Sequence, residues 1–242
     1  MAQIKPFNAV FYNESKSGDW SSLVCPPYDV ISPKEQDYYH SLSPHNFIHI
    51  LLRKDAPGEN KYQRCGVVFR SWLKSKVLVQ AERPAVYFYS QQYIIRGEKK
   101  VRLGFIALLR LGDKGSAVFG HENTRSKAKE DRLKMLKKTN ANLSPIFVVF
   151  KDKKRLIPRV FEQYIIGRPP FIDVVDKEKT RHLLWRIEDP VMLEFIQSGM
   201  KKEDVFIADG HHRYEVSCVY RDEMANKLKD KFNEDASFNY TL

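Results

Sequence analysis

Four apolar residues, Val205-Phe206-Ile207-Ala208, run straight into Asp209-Gly210-His211-His212-Arg213-Tyr214, and this junction restricts the fold more than any other stretch. The apolar tetrad has the length of a short strand, and the residues beyond it predict a helix from about Tyr214 into Lys227. A strand, a tight glycine turn and a helix in direct succession belong to a mixed α/β architecture. They also aim backbone N–H groups and the positive end of a helix dipole at one spot. Gly210 permits the sharp turn and a close approach of a ligand to the backbone. Arg213 offers a planar fork of donors suited to phosphate, and His211 and His212 can donate hydrogen bonds or move protons near neutral pH. Asp209, at a strand end, is placed to hold magnesium or to accept a hydroxyl proton. Singly, each residue reads as structural: Asp-Gly is an ordinary turn, paired histidines occur on surfaces, and Arg213 has Glu215 within reach. Together, after an apolar strand, they point to an anion site. Neighbouring histidines rarely chelate one ion and no third ligand stands nearby, which argues against a zinc-type centre.

The chain of 242 residues is 43% hydrophobic, with 15 Phe and 12 Tyr, so it has the means to bury a globular core. One catalytic-type domain over 1–242, carrying an insertion around 56–190, is the expected organisation. No apolar run approaches the ~18 residues of a membrane span, and Met1 to Pro6 lacks the apolar core of a signal peptide, so a cytoplasmic protein is expected. Cys25, Cys65 and Cys218 are odd in number and widely spaced, which predicts reduced thiols and no disulfide framework. The net charge of +11 suits an anionic partner, yet the lysines are scattered and form no nucleic-acid-binding tail.

Along the chain, Cys25-Pro26-Pro27-Tyr28-Asp29-Val30 reads as a rigid extended turn, because two prolines fix φ and withhold two donors. Ser32-Pro33-Lys34-Glu35 has the form of a helix start with a capping box. Phe47 to Leu52 is read as a strand and Tyr62 to Lys74 as a helix. Ala85 to Tyr89 and Gln92 to Ile95 are read as adjacent strands linked by Ser90-Gln91, with Val101 to Leu109 continuing the pattern. A charged helix is expected from about Ser126 to Lys138, then a buried strand over Ile146 to Phe150. A helix over Leu156 to Tyr164, strands over Phe171 to Val175 and His182 to Ile187, and a helix over Pro190 to Ser198 complete the middle. Ser237 to Leu242 reads as a strand that has just begun, so the chain is expected to be the front portion of a longer protein.

Two further groups carry chemistry. His121-Glu122-Asn123-Thr124 places a carboxylate, an amide and a hydroxyl before a helix whose first turns hold Lys127, Lys129 and Arg132. Glu122 suits magnesium, and Thr124, Lys129 and Arg132 suit phosphate; the plain alternative is a capped helix with solvated basic residues. Tyr28 and Asp29 either line a small amino-acid pocket or merely make a rigid turn.

These three separated motifs, Pro26 to Val30, His121 to Leu133 and Phe206 to Glu215, resemble in the same order the bacterial family called domain of unknown function ten-fifteen. The Asp-Gly-His-His-Arg segment is also similar to that of free serine kinases with a ParB-like fold and, more distantly, to the Gly-Gly-Cys-His-Arg turn of sulfiredoxins. The resemblance implies a ParB/sulfiredoxin-like nucleotide-binding core of α/β (α+β) class with a strand-rich insertion. It further implies phosphoryl transfer from ATP or ADP, with Mg2+, to free L-serine. In that reading Gly210, His211, His212 and Arg213 hold the donor phosphates with Thr124, Lys129 and Arg132, while Asp209 and Glu122 hold magnesium. Asp209, Glu122, Asp29 and His211 form the catalytic set, Glu122 or Asp29 being the base, and Tyr28 and Asp29 meet the amino acid. His211 stands where sulfiredoxins carry their reactive cysteine, which argues against sulfinic-acid reduction. The alternatives are a ParB-like nucleotide switch that binds DNA, for which no helix-turn-helix pair follows the His-His-Arg helix, and an NTP hydrolase.

Overall fold

Successive side chains along the longest strand point to opposite sides, and that alternation gives the central sheet two different faces. The computed structural model describes residues 2–112, 117–122, 126–231 and 233–242. Among these, the strands in chain order are β1 (Ile4–Lys5), β2 (Val10–Tyr12), β3 (Leu78–Gln80), β4 (Val86–Ile95), β5 (Glu98–Ile106), β6 (Leu108–Arg110), β7 (Val118–Phe119), β8 (Phe147–Phe150), β9 (Ile172–Val175), β10 (Arg181–Ile187), β11 (Val205–Asp209) and β12 (Tyr240–Thr241). The helices are α1 (Glu14–Ser17), α2 (Trp20–Leu23), α3 (Pro33–Leu42), α4 (Ile48–Leu51), α5 (Lys61–Lys74), α6 (Ser126–Thr139), α7 (Leu156–Val160), α8 (Pro190–Met200) and α9 (His211–Leu228).

The class is mixed α+β. An antiparallel sheet of order β5-β4-β10-β9 is the largest, and smaller sheets have orders β1-β6-β12, β7-β11-β8 and β2-β3. In the largest sheet Val86 and Phe88 point to the main core, where they meet Ile4, Leu109, Ile187, Ile196 and Val205. That core therefore draws on both ends of the chain and on the strand-rich middle. A second cluster, built from Tyr12, Leu23, Ile50, Phe69, Trp72 and Leu78, sits under α5. The opposite face of the large sheet, carrying Tyr87, Ile106 and Leu184 side by side, does not belong to either cluster.

Local chemistry explains most element ends. Ser32 caps α3 by accepting from the Glu35 N–H, while Glu35 returns an acceptor to the Ser32 N–H at 3.0 Å. Asn60 caps α5, and Asp189 caps α8 ahead of Pro190. Four expectations need correction. Phe47 to Leu52 is helical at Ile48–Leu51: Asn46 is fully buried, accepts from the Ile48 N–H at 3.0 Å and donates to the Ser22 and Val24 carbonyls, which starts a helical turn. Ser90-Gln91 is mid-strand, and the hairpin turns instead at Arg96-Gly97, both with positive φ of 50° and 79°. β8 is not buried, since Phe147 and Val149 are exposed on one side. α9 begins at His211, and a π-helical turn over Phe161–Ile165 extends α7.

Phe88 is completely buried at the centre of the large sheet. Phe88→Ala is expected to lower unfolding stability by about 3–5 kcal/mol in a urea titration. Ile94→Ala, at a position 69% exposed, is expected to change it by less than about 0.5 kcal/mol.

Candidate functional site

β11 lies between β7, its parallel neighbour, and β8, its antiparallel one. Its register with β8 slips between Ile207 and Asp209, so the strand end is re-aimed where the motif begins. Gly210 then turns the chain with φ 92° and ψ 27°, and α9 starts at once without a side-chain cap. As N-cap, Gly210 brings no side chain of its own to the start of α9, and a helix start of this kind favours an anion. A Cβ on Gly210 would lie 3.0 Å from Arg213 Cζ and Nε, because the guanidinium folds back over the turn. Arg213 Nη2 donates to Asp209 Oδ2 and Nη1 donates to the Pro145 carbonyl. Its side chain is only 13% exposed, whereas that of Asp209 is 55% exposed. Arg213 is therefore the bolt of the turn, and Asp209 is its solvent-facing carboxylate.

His211 fastens the other side. Its buried ring accepts the His121 N–H at Nε2, 3.3 Å away, which places the proton of the neutral ring on Nδ1. Nδ1 lies 3.2 Å from Glu122 Oε2, within ion-pair distance but out of line for a hydrogen bond. The His121 ring meets the His211 ring edge-on at 4.7 Å. Gly120 is so close that a Cβ there would stand 3.2 Å from His211 Cδ2. The exposed Glu122 carboxylate thus lies beside His211 at the start of α9. His212 is half-buried next to it.

α6 packs along α9 and is tied to it by Lys129–Glu215 at 2.9 Å and Lys137–Glu223 at 2.6 Å. Arg132, nearly buried, donates through Nε to Asp131 Oδ2 at 2.8 Å and through Nη1 to the Leu51 carbonyl, and it stacks on the Tyr28 ring at 3.9 Å. Burial would raise the Asp131 carboxyl, but Arg132, Tyr62 and Lys61 outweigh it and hold the group below its ordinary value. Burial pushes the Tyr28 phenol up, with Arg132 opposing. Tyr28, Arg132 and Arg213 share the wall of a cleft of about 50 Å³ with Asn142, Ser144 and Ser217.

The structure thus gathers Asp209, Gly210, His211, Arg213 and Glu122 into one group, and Arg213 connects it to Tyr28 and Arg132. Lys129 is engaged with Glu215. Asp29 is exposed in the Pro27–Val30 turn. Thr124 and Asn123 lie outside the described residues. Among the described residues no group of three or more His, Cys, Asp or Glu converges as a metal cage. The Pro145 acceptor was not foreseen from sequence, and neither was a row in which Tyr89 Oη lies 2.5 Å from His182 Nδ1 and His182 Nε2 lies 2.9 Å from Asp176 Oδ2. The β4–β10 register brings Tyr89 near His182, and the turn between β9 and β10 brings Asp176 to the same histidine.

Residues 4–242 match the family described as "Protein of unknown function (DUF1015)". The chain belongs to the DUF1015 family. No curated protein and no solved structure matches it. Among the described residues of this DUF1015 protein, no helix is long and apolar enough to cross a membrane. Its cysteines are unpaired, and burial raises all three thiols, that of Cys25 from 9.0 to about 12.

Two outcomes follow for the DUF1015 chain. Gly210→Ala meets both a left-handed φ and the Arg213 guanidinium, so it is expected to lose on the order of 1–3 kcal/mol by chemical denaturation. The raised Cys25 pKa fixes a sign: the unfolded thiol ionises first, so its stabilising effect is complete below pH 9.0 and is lost as pH rises toward about 12. Melting temperature is expected to fall over that range, less steeply in Cys25→Ala.

Proposed function

We propose that this DUF1015 protein transfers a phosphoryl group from ATP or ADP to the hydroxyl of a small amino acid, L-serine first, through a ParB/sulfiredoxin-like core whose working part is the β11–Gly210–α9 turn. The observation that carries the reading is the start of α9 directly behind a left-handed glycine, with the exposed carboxylates of Asp209 and Glu122 beside it. Phosphoryl transfer depends mainly on positioning and charge neutralisation, and these groups are of that kind.

The N–H groups at the start of α9 receive the donor phosphates. Asp209 and Glu122 would hold magnesium together with substrate oxygens, and the ion would supply neutralisation of phosphate charge. The acceptor oxygen attacks the terminal phosphorus, the bond to the bridging oxygen breaks, and ADP or AMP departs. The hydroxyl proton passes to a carboxylate, Glu122 first and Asp29 second. His211 cannot take that proton at Nε2, whose lone pair accepts the His121 N–H, so its part is to position Glu122. Arg213 positions Asp209. The cleft beside Tyr28, about 50 Å³, is far smaller than the roughly 300–1,000 Å³ of most ligand pockets, so the nucleotide lies over the open side of the turn.

Phosphorus NMR of the protein with magnesium, ATP or ADP, and L-serine tests the reading. An O-phosphoserine resonance that requires serine is expected, and Asp209→Asn and Glu122→Gln are each expected to slow its appearance on the order of 100-fold, Glu122→Gln with melting temperature kept and Asp209→Asn with a lowered one, because it removes the charge paired with Arg213. Nucleotide consumed at the same rate without serine would replace the kinase with a hydrolase. Unchanged nucleotide together with steeply salt-dependent DNA binding would favour the nucleotide-gated switch.

A further inference from the structure

The large sheet turns its second face, the one not packed into the main core, toward α5 and the cluster beneath it. Between them lies a cavity of about 550 Å³, within the size range of small-molecule sites. Its walls are predominantly apolar and ring-bearing, with Phe11, Phe69, Phe171 and Tyr87 among them. Residues 140–143 and Pro145 form a wall here, and part of that segment also borders the cleft beside Arg213.

Polar side chains in this wall are mostly satisfied: Asn8 Nδ2 donates to the Ala81 carbonyl and Gln80 Nε2 donates to that of Asn8. Tyr87 is the exception. It is 97% buried, being 3% exposed, and its hydroxyl has no hydrogen-bond partner. Directly across the β4–β10 pair stands Arg186, whose Nε and Nη2 are also buried without partners. The backbone of Ala9 and the Arg186 guanidinium influence Tyr87 without entering hydrogen-bond geometry with it. Arg186 stacks on Phe171 at 4.2 Å and on Phe11 at 5.0 Å, both cavity-lining rings, and its Nη1 is 3.7 Å from Glu188 Oε1. Buried donors left unmade are uncommon and carry a desolvation penalty, so three on one sheet face call for an acceptor.

We infer that this cavity binds a monocarboxylic acid with an apolar, ring-bearing body, whose carboxylate is taken by Tyr87 and Arg186. Arg186 does not itself line the cavity but stands behind the Phe11 and Phe171 rings; with Nη1 turned to Glu188, its buried, unpaired Nε–Nη2 edge is the side that accommodates a planar two-oxygen anion. Tyr87 Oη adds a third donor. The apolar body fills the space between the sheet and α5, and the Phe11 and Phe171 rings turn aside to admit the head group. A dianionic phosphate is disfavoured by so apolar a wall, and a cation by Arg186. The site does not depend on phosphoryl transfer at the β11–α9 turn, since Asp209, Gly210 and His211 do not line it.

The test is isothermal titration and thermal melting of the protein with phenylalkanoic acids of increasing chain length and with their methyl esters. Saturable binding that tightens with chain length is expected, with each acid favoured over its ester about tenfold. Tyr87→Phe removes an unpaired hydroxyl, so the ligand-free melting temperature is expected to hold or rise while the preference for acid over ester shrinks. Arg186→Met is expected to abolish that preference. The inference is overturned if neither acids nor esters bind saturably. It also fails if acid and ester bind alike, or if Tyr87→Phe lowers the ligand-free melting temperature and leaves the preference intact.

Discussion

The guanidinium of Arg213 locks the turn that follows β11 against the segment ahead of β8, the strand with which β11 already pairs. It pairs with Asp209 at the end of β11, covers Gly210, and donates to the Pro145 carbonyl ahead of β8. Because the side chain is nearly buried, loss of a partner leaves a charge with little water to solvate it, the situation in which breaking a pair is most costly. The same geometry sets how Asp209 faces solvent. It also fixes one end of the segment that walls both the cleft and the larger cavity, so the candidate site and the apolar chamber share a common support.

His211 provides the matching constraint on the opposite side. A histidine that follows a glycine turn suggests proton chemistry, but here one nitrogen is occupied by a backbone N–H and the other faces Glu122. In the proposed reading the imidazole serves to place a carboxylate rather than to move a proton. Basic residues of α6 follow the same rule: Lys129 and Arg132 meet Glu215 and Asp131 before they meet any ligand. Lys129 joins α6 to α9 and Arg132 ties α6 to the Leu51 carbonyl and the Tyr28 ring, which leaves the backbone at the start of α9 as the anion-attracting element of the proposed site.

Sequence shows the local half of this arrangement. Strand, glycine and helix around Gly210 are legible because each rests on near neighbours, as are the Ser32 capping box and the periodic helices at Lys61–Lys74 and Pro190–Met200. Ile48–Leu51 was not legible as a helix, because a six-residue apolar run has no decisive period and its turn is started by the buried Asn46 reaching back to Ser22 and Val24. What Arg213 and His211 hold, and that Tyr87 stands opposite Arg186, depend on contacts between distant segments and on strand register. A periodicity argument contains no information about either.

The central claim is that the start of α9 is an anion-binding backbone. Backbone amide shifts, followed by NMR as ADP with magnesium is added, address it most directly. The account predicts that the amides of His211, His212 and Arg213 move first and farthest, saturating together with those of Gly210 and Glu122. Saturating shifts confined to another surface, such as the lysine-bearing β4–β5 hairpin, with the α9 amides unmoved, would contradict it.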